Sequence, residues 1–400
     1  MSAASSSPLR HLLLYEPRTE GHHISWLQFI TEDLLSAGLR LTLAVDRRPK
    51  GEAKLRAHLG GLLDQVTLMD ALAAPRGAGG YQLPAVRHCL KTSGAQEVFL
   101  CELDEIASDL WRRACFGIRP PSELRGRLSG IYHRPRFLGA PRWSPQRWVK
   151  QIGFGRLLRA GWFRHLLLVD EFLAPALQAQ FPQVPFAALP VPSREFQLAP
   201  LAEARRALGV PLAPHVFLFY GGGYRRKGLH LAVAAMRALP PEVPAFLLCV
   251  GQLNPTGDVA SGLTELTAQN RALLINRYVS DAEEALAYAA SDTVLLPYLR
   301  HFGGSAILSQ AATAARMVIA SDEQLLGRLV RDHNLGLRFV TDSSADLARA
   351  LREAVALPDD ERAGYTARAR QYAAACSRAA YRRVLLQAVL GSAPGSPRHG

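Results

Sequence analysis

The sequence predicts an α/β protein built from two successive doubly wound, parallel-sheet domains. Short apolar runs of strand length alternate with helical patterns along nearly the whole chain. Such alternation implies βαβ crossovers and sheets covered on both faces. A proline-rich passage, "FPQVPFAALPVPSREFQLAP" (181–200), interrupts the alternation once, after which it resumes. The length of 400 residues exceeds what one ordinary core accommodates, and 48% hydrophobic residues exclude a disordered chain.

The first half opens on the strand-like run "HLLLYEP" (11–17). "ISWLQFITEDLLSAG" (24–38) places Leu27, Ile30, Leu34 and Leu35 on one helical face, and Gly38 ends it. "LTLAVD" (41–46), "EVFLCELD" (97–104), "GIYHRP" (130–135) and "HLLLVD" (165–170) continue the strands, with helix-like segments between them. The proline-rich passage reads as a last strand and a linker. The second half repeats the scheme with "VFLFYGGG" (216–223), "AFLLCVG" (245–251), "LLINRYV" (273–279), "TVLLPY" (293–298), "MVIAS" (317–321) and "GLRFV" (336–340). The expected division is residues 1–195, residues 196–375, and a last helix with a disordered tail over 376–400.

Five scattered cysteines, none in a CxxC pair, suit a reducing compartment and give no metal-ligand cluster. No apolar run reaches the ~18 residues that span a bilayer, and no signal peptide is read at the start. The expectation is therefore a cytoplasmic protein. Of the net charge of +13, a net +12 lies between Arg112 and Arg164, where thirteen cations face the single acid Glu123. Trp111, Trp143, Trp148, Trp162, Phe137 and Phe154 are interleaved with them. A basic, aromatic stretch of this kind suits an anionic membrane surface or an anionic acceptor. Nucleic acid is disfavoured, because no RNA-binding signature accompanies it.

Parallel sheets of this kind bind ligands beyond the carboxyl ends of their strands. Three loops there carry chemistry. In "FYGGGYRRKGLHLAVAAM" (219–236), Gly222 and Gly223 let backbone N–H groups approach a ligand, and Arg226 and Lys227 add charge at a helix start. It is not a Walker A loop, because Gly228 follows the lysine. In "RHFGGSAILSQAA" (300–312), Gly303 and Gly304 form a candidate nest and Ser305 a candidate N-cap. In "EPRTEGHHISWL" (16–27), His22 and His23 open a helix whose dipole favours neutral imidazole.

The segments "YGGGYRRKG", "EEALAYAASDTVLLPYLRHFGGSAILSQAATAARMVIASD" and "LGRLVRDHNLGLRFVTDSSADLARALREAV" resemble the C-terminal domain of glycosyltransferase family 4, the glycosyl transferases group 1. The likeness holds in order over about residues 215–355; the N-terminal half resembles the family more loosely. The resemblance implies a GT-B fold, two Rossmann-like domains facing a cleft, with a nucleotide-sugar donor held by the second domain and an acceptor by the first. It matches Lys227 and Arg226 to the family's diphosphate-binding pair, while the family's earlier Arg falls on Gly222. The family's Glu-x7-Glu carboxylates fall on His301 and Ser309 or, one residue on, Phe302 and Gln310. Neither register keeps a Glu. In the family the first lies near the donor sugar and the second accepts from ribose hydroxyls, so His301, Ser309 and Gln310 stand at the sugar and ribose positions here.

The resemblance implies a hexosyltransferase-type enzyme, usually retaining and metal-independent, with a nucleotide-diphosphate sugar as co-substrate and no other cofactor. His22, His23 and Asp104, with Glu105, are the candidates for acceptor contact and catalysis; Asp170 reads as a helix cap. The expected acceptor is a glycan or a lipid-linked acceptor, with residues 112–164 as the contact to an anionic surface at the inner face of the membrane. A non-catalytic nucleotide-sugar binder or partner subunit is the alternative that the missing carboxylates raise. A sugar-nucleotide epimerase is a further one.

Overall fold

The computed structural model describes residues 10–20, 22–73, 82–135, 137–138, 144–222 and 225–391. It divides into two compact units, one running to Leu189 and taking in the chain again from Arg382, the other covering Pro190–Tyr381. The last helix, Arg378–Leu390, therefore begins with the second unit and ends with the first, where Arg10 donates to the Val389 carbonyl at 2.6 Å. Residues 392–400, expected as a tail, lie outside the described residues.

Among the described residues the first unit holds seven strands: β1 (His11–Glu16), β2 (Arg40–Val45), β3 (Thr67–Asp70), β4 (Glu97–Leu100), β5 (Leu128–Tyr132), β6 (Phe163–Leu168) and β7 (Phe186–Ala188). All neighbours pair in parallel, in the order β3-β2-β1-β4-β5-β6-β7. β1 and β4, with burial on both faces, are the central pair, which is why "HLLLYE" and "EVFL" read as unbroken apolar runs. β3, "TLMD", is an edge strand with Thr67 exposed and its other residues half-buried, and gives no such run.

The second unit holds β8 (His215–Tyr220), β9 (Ala245–Val250), β10 (Ala272–Ile275), β11 (Thr293–Leu296), β12 (Met317–Ser321) and β13 (Gly336–Phe339), again all parallel, in the order β10-β9-β8-β11-β12-β13. The strand order reverses between β1 and β4 in one sheet and between β8 and β11 in the other. Crossovers leave such a pair in opposite directions, so a crevice opens beyond its carboxyl ends. β8 and β11 pair only through Phe217–Thr293 and Leu218–Val294. Each unit thus has one topologically defined place for a ligand, and the candidate loops lie at these two places.

Candidate functional site

In the second unit, the loop after β8 passes through Gly221 and Gly222 to a tight turn, Arg225–Lys227. Gly223 lies outside the described residues. The loop after β11 runs from Pro297 to Ser305. The two loops are joined: the Leu299 N–H donates to the Arg226 carbonyl at 2.7 Å. Gly228 presses against the second loop with φ 77°, and a Cβ there would sit 1.8 Å from the Pro297 carbonyl oxygen. Only glycine permits this approach.

Lys227 is half-buried and folds back over the first loop. Its Nζ lies 2.8 Å from where a Cβ on Gly221 would be and 5.6 Å from the centre of the Tyr298 ring. It forms no ion pair with any described residue. Burial, helped by the neighbouring Arg226, lowers its pKa from the ordinary lysine value. A desolvated ammonium without a counter-anion is costly, and an anionic ligand would relieve that cost. Arg226 is exposed beside it.

Across from Lys227, Ser305 caps the helix Ala306–Thr313 by accepting from the Leu308 N–H at 3.2 Å. Gly303 and Gly304 directly precede this cap. His301 Nε2 lies 3.1 Å from the Gly304 carbonyl, and its ring meets Tyr298 edge-on at 5.0 Å between centroids. Gln310 is half-buried, its Oε1 accepting from the Tyr288 hydroxyl at 3.1 Å. Ser309 is buried, with Oγ 3.5 Å from the Ser305 carbonyl. The diphosphate candidates Gly222, Arg226, Lys227, Gly303, Gly304 and Ser305 thus come together on two joined loops, whereas Ser309 points into the helix that carries it.

In the first unit, Glu16 ends β1 and Glu102 follows β4; both are 1% exposed. His23, in the first turn of the helix His22–Ser36, places Nδ1 3.1 Å from Glu16 Oε2 and 4.0 Å from Glu102 Oε2. His133, just past β5, has Nε2 3.7 Å from Glu102 Oε2, and Arg134 donates to Glu102 Oε1 at 3.0 Å. Asp104, in the first turn of Leu103–Cys115, accepts from the N–H groups of His133 and Arg134, each at 2.7 Å. Burial, with the charge of Glu102, pushes its carboxyl up to about 7. Asp104, Glu105, Trp111 and Arg134 help to line a recess of about 270 Å³.

The expectation of a neutral His23 is corrected. Burial does disfavour its imidazolium, but the hydrogen bond and charge of Glu16, with the charge of Glu102, outweigh it and raise the pKa. Two buried carboxylates at under 4 Å or close to it exceed the partial charge of one helix end. The side chain of His22 lies outside the described residues. Asp170 accepts from the N–H groups of Phe172 and Leu173 at 3.0 and 3.3 Å in the turn before the helix Leu173–Gln180, whose N-cap position is Phe172 rather than the expected Asp170. Sequence reading passed over Glu16, Glu102, His133 and Arg134. Each stands at or just after the carboxyl end of a strand, in "LLLYEP", "FLCELD" and "IYHRP", which is the signal that marks them.

Two parallel sheets with reversing strand order, each carrying polar groups beyond its central strands, define an α/β protein of the GT-B fold. Residues 202–372, all within the second unit, match the family described as glycosyl transferases group 1. Over 174 residues the chain is 29% identical to phosphatidyl-myo-inositol mannosyltransferase of Mycolicibacterium smegmatis, a match spanning 43% of this chain and less than half, 44%, of that relative. A glycosyltransferase structure from Rickettsia africae superposes with a TM-score of 0.69 at 12% identity, covering 96% of this chain and all of that one. The Anabaena protein Alr3699/HepE, solved in complex with UDP, does so with a TM-score of 0.66 at 15% identity, covering 96% of this chain and 100% of its own. At such identities these structures establish the fold.

Proposed function

We propose that the protein transfers a sugar from a nucleotide-diphosphate donor to a hydroxyl of a glycan or lipid-linked acceptor, with retention of configuration. The observation that carries this reading is Lys227, a half-buried ammonium without a counter-anion among the described residues, between two loops at the β8/β11 switch point. UDP bound to the Anabaena protein of the same fold supports a nucleotide as its ligand. In the transfer, the bond from the anomeric carbon to the diphosphate oxygen breaks and a bond to the acceptor oxygen forms. The acceptor's proton passes to the departing phosphate. Lys227, Arg226 and the free N–H groups at the start of Ala306–Thr313 stabilise the charge on that leaving group, without a metal in the scheme. His23 and Asp104, in the first unit, contact the acceptor.

Nucleotides and nucleotide sugars at 100 times their dissociation constant should stabilise the protein by about 2.7 kcal/mol. A thermal-shift panel reads this directly, and Lys227→Ala should abolish most of the shift. No response to any nucleotide would refute the proposal. His301 and Ser309, standing where the family has carboxylates, favour one second reading: donor binding without transfer. Tight donor binding with no product from any acceptor class would select it. We assign acceptor encounter to an anionic membrane surface met by the basic face of the first unit, where Phe116 and Trp148 are exposed among arginines.

A further inference from the structure

We infer that Glu284 supplies the nucleotide subsite with the carboxylate that the sequence lacks at Ser309. This deepens, and rests on, the reading of the second unit as a nucleotide-sugar site. Glu284 lies in the first turn of the helix Asp281–Ala290, well away in sequence from the loop where the family places its acids. It is 6% exposed, and its Oε1 has no hydrogen-bond partner among the described residues. A buried carboxylate oxygen left without a partner is among the costlier features a fold retains, and it calls for a partner that arrives later.

The neighbours of Glu284 say what that partner is. Burial raises the pKa of its carboxyl, and the Tyr220 side chain beside it acts against that rise. Tyr220 ends β8 and directly precedes Gly221, over which the Lys227 ammonium is folded. Tyr288, one helical turn beyond Glu284, packs its ring 5.6 Å from that of Tyr220 and donates to Gln310. Tyr220 and Gln310 are only half-buried, so this polar cluster reaches the surface beside the lysine loop. In a nucleotide, the group next to the diphosphate is a ribose with a vicinal diol, a pair of hydroxyl donors. A carboxylate acceptor in the cluster that Tyr220 carries up to the lysine loop is matched to it. Ser309, buried and facing the Ser305 carbonyl, offers no such acceptor.

The test uses the intact protein and calorimetric titration with UDP, GDP and ADP, each beside its 2′-deoxy and 3′-deoxy counterpart. The wild type should bind the ribose form at least about tenfold more tightly than one deoxy form, as expected for hydrogen bonds to a charged group. Glu284→Leu should reduce that ratio to near one, and Glu284→Gln to an intermediate value, while Ser309→Ala leaves it unchanged. Unchanged or raised melting temperatures would show that both Glu284 variants are folded. If the ratio survives in Glu284→Leu, or the wild type shows none, Oε1 is merely hydrated and the inference is overturned alone. Failure of every nucleotide to bind overturns it together with the proposed function.

Discussion

Lys227, half-buried, and His23, buried, each lie in the segment that follows a central strand, yet their surroundings act on them in opposite senses. Lys227 has no ion-pair partner among the described residues and its pKa falls; His23 sits against Glu16 and Glu102 and its pKa rises. The first is poised for an anion, the second already holds one. For His23 the sign of the linkage follows from the raised value. Its stabilising contribution is fully present below the ordinary 6.5 and is lost as pH climbs through the higher folded value. Melting temperature measured from pH 5.5 to 9 should therefore decline more steeply in the wild type than in His23→Gln. Equal slopes would mean that the Glu16 contact does not govern this titration. Both residues were legible in the sequence as polar groups after an apolar run. Their partners were not, because Glu16 and Glu102 lie 86 residues apart and meet only through β1–β4 pairing.

At the scale of elements, the two loops meet because Gly228 lets them touch. Gly228→Ala would place a Cβ 1.8 Å from the Pro297 carbonyl in a left-handed backbone, and should cost several kcal/mol, on the order of 3 or more. Gly38, also left-handed at φ 80° but with nothing within 4 Å, provides the contrast. Gly38→Ala should cost about 1 kcal/mol from backbone strain alone. Denaturant titration of the two variants separates them, and equal costs would show that loop contact at Gly228 is dispensable. The same comparison explains which elements the sequence disclosed. Central strands such as "VFLFY" are buried on both faces and leave an apolar run, whereas the edge strand β3 is half-buried or exposed and leaves none. The capped helix start at Ser305 was also readable, since a serine between glycines and an Ala-rich run has little other use.

For the whole molecule, charge is the property with reach. Of the thirteen cations between Arg112 and Arg164, Arg136 and Arg142 lie outside the described residues. On the helix Pro145–Arg159, Trp148, Ile152, Arg156 and Arg159 recur at helical spacing on one stripe, and Arg156 donates to the Cys115 carbonyl at 2.8 Å, next to the exposed Phe116. Exposed aromatic groups flanked by arginines suit the headgroup region of an anionic bilayer. Vesicles containing phosphatidylserine should bind the protein at low salt, and release it as salt is raised, while phosphatidylcholine vesicles should not. Phe116→Glu with Trp148→Glu should weaken binding at least about tenfold, given roughly 1 kcal/mol for each basic group near such a surface and a comparable apolar term. Indifference to anionic vesicles at low salt would end the membrane assignment. No helix among the described residues is long and apolar enough to cross a membrane.

The sequence by itself determined the two-sheet architecture and the positions of the glycine loops, because each is written in neighbouring residues. Period, turn chemistry and a motif with gaps are local signals. Tertiary structure decided which distant groups meet. It joined the two loops through Leu299 and Arg226, and surrounded His23 with acids from two strands. It also brought Glu284 beside Tyr220, where a linear motif could not record it. A charge buried by packing is a property of the assembled unit, since the strand order that brings its neighbours together is not the order of the chain.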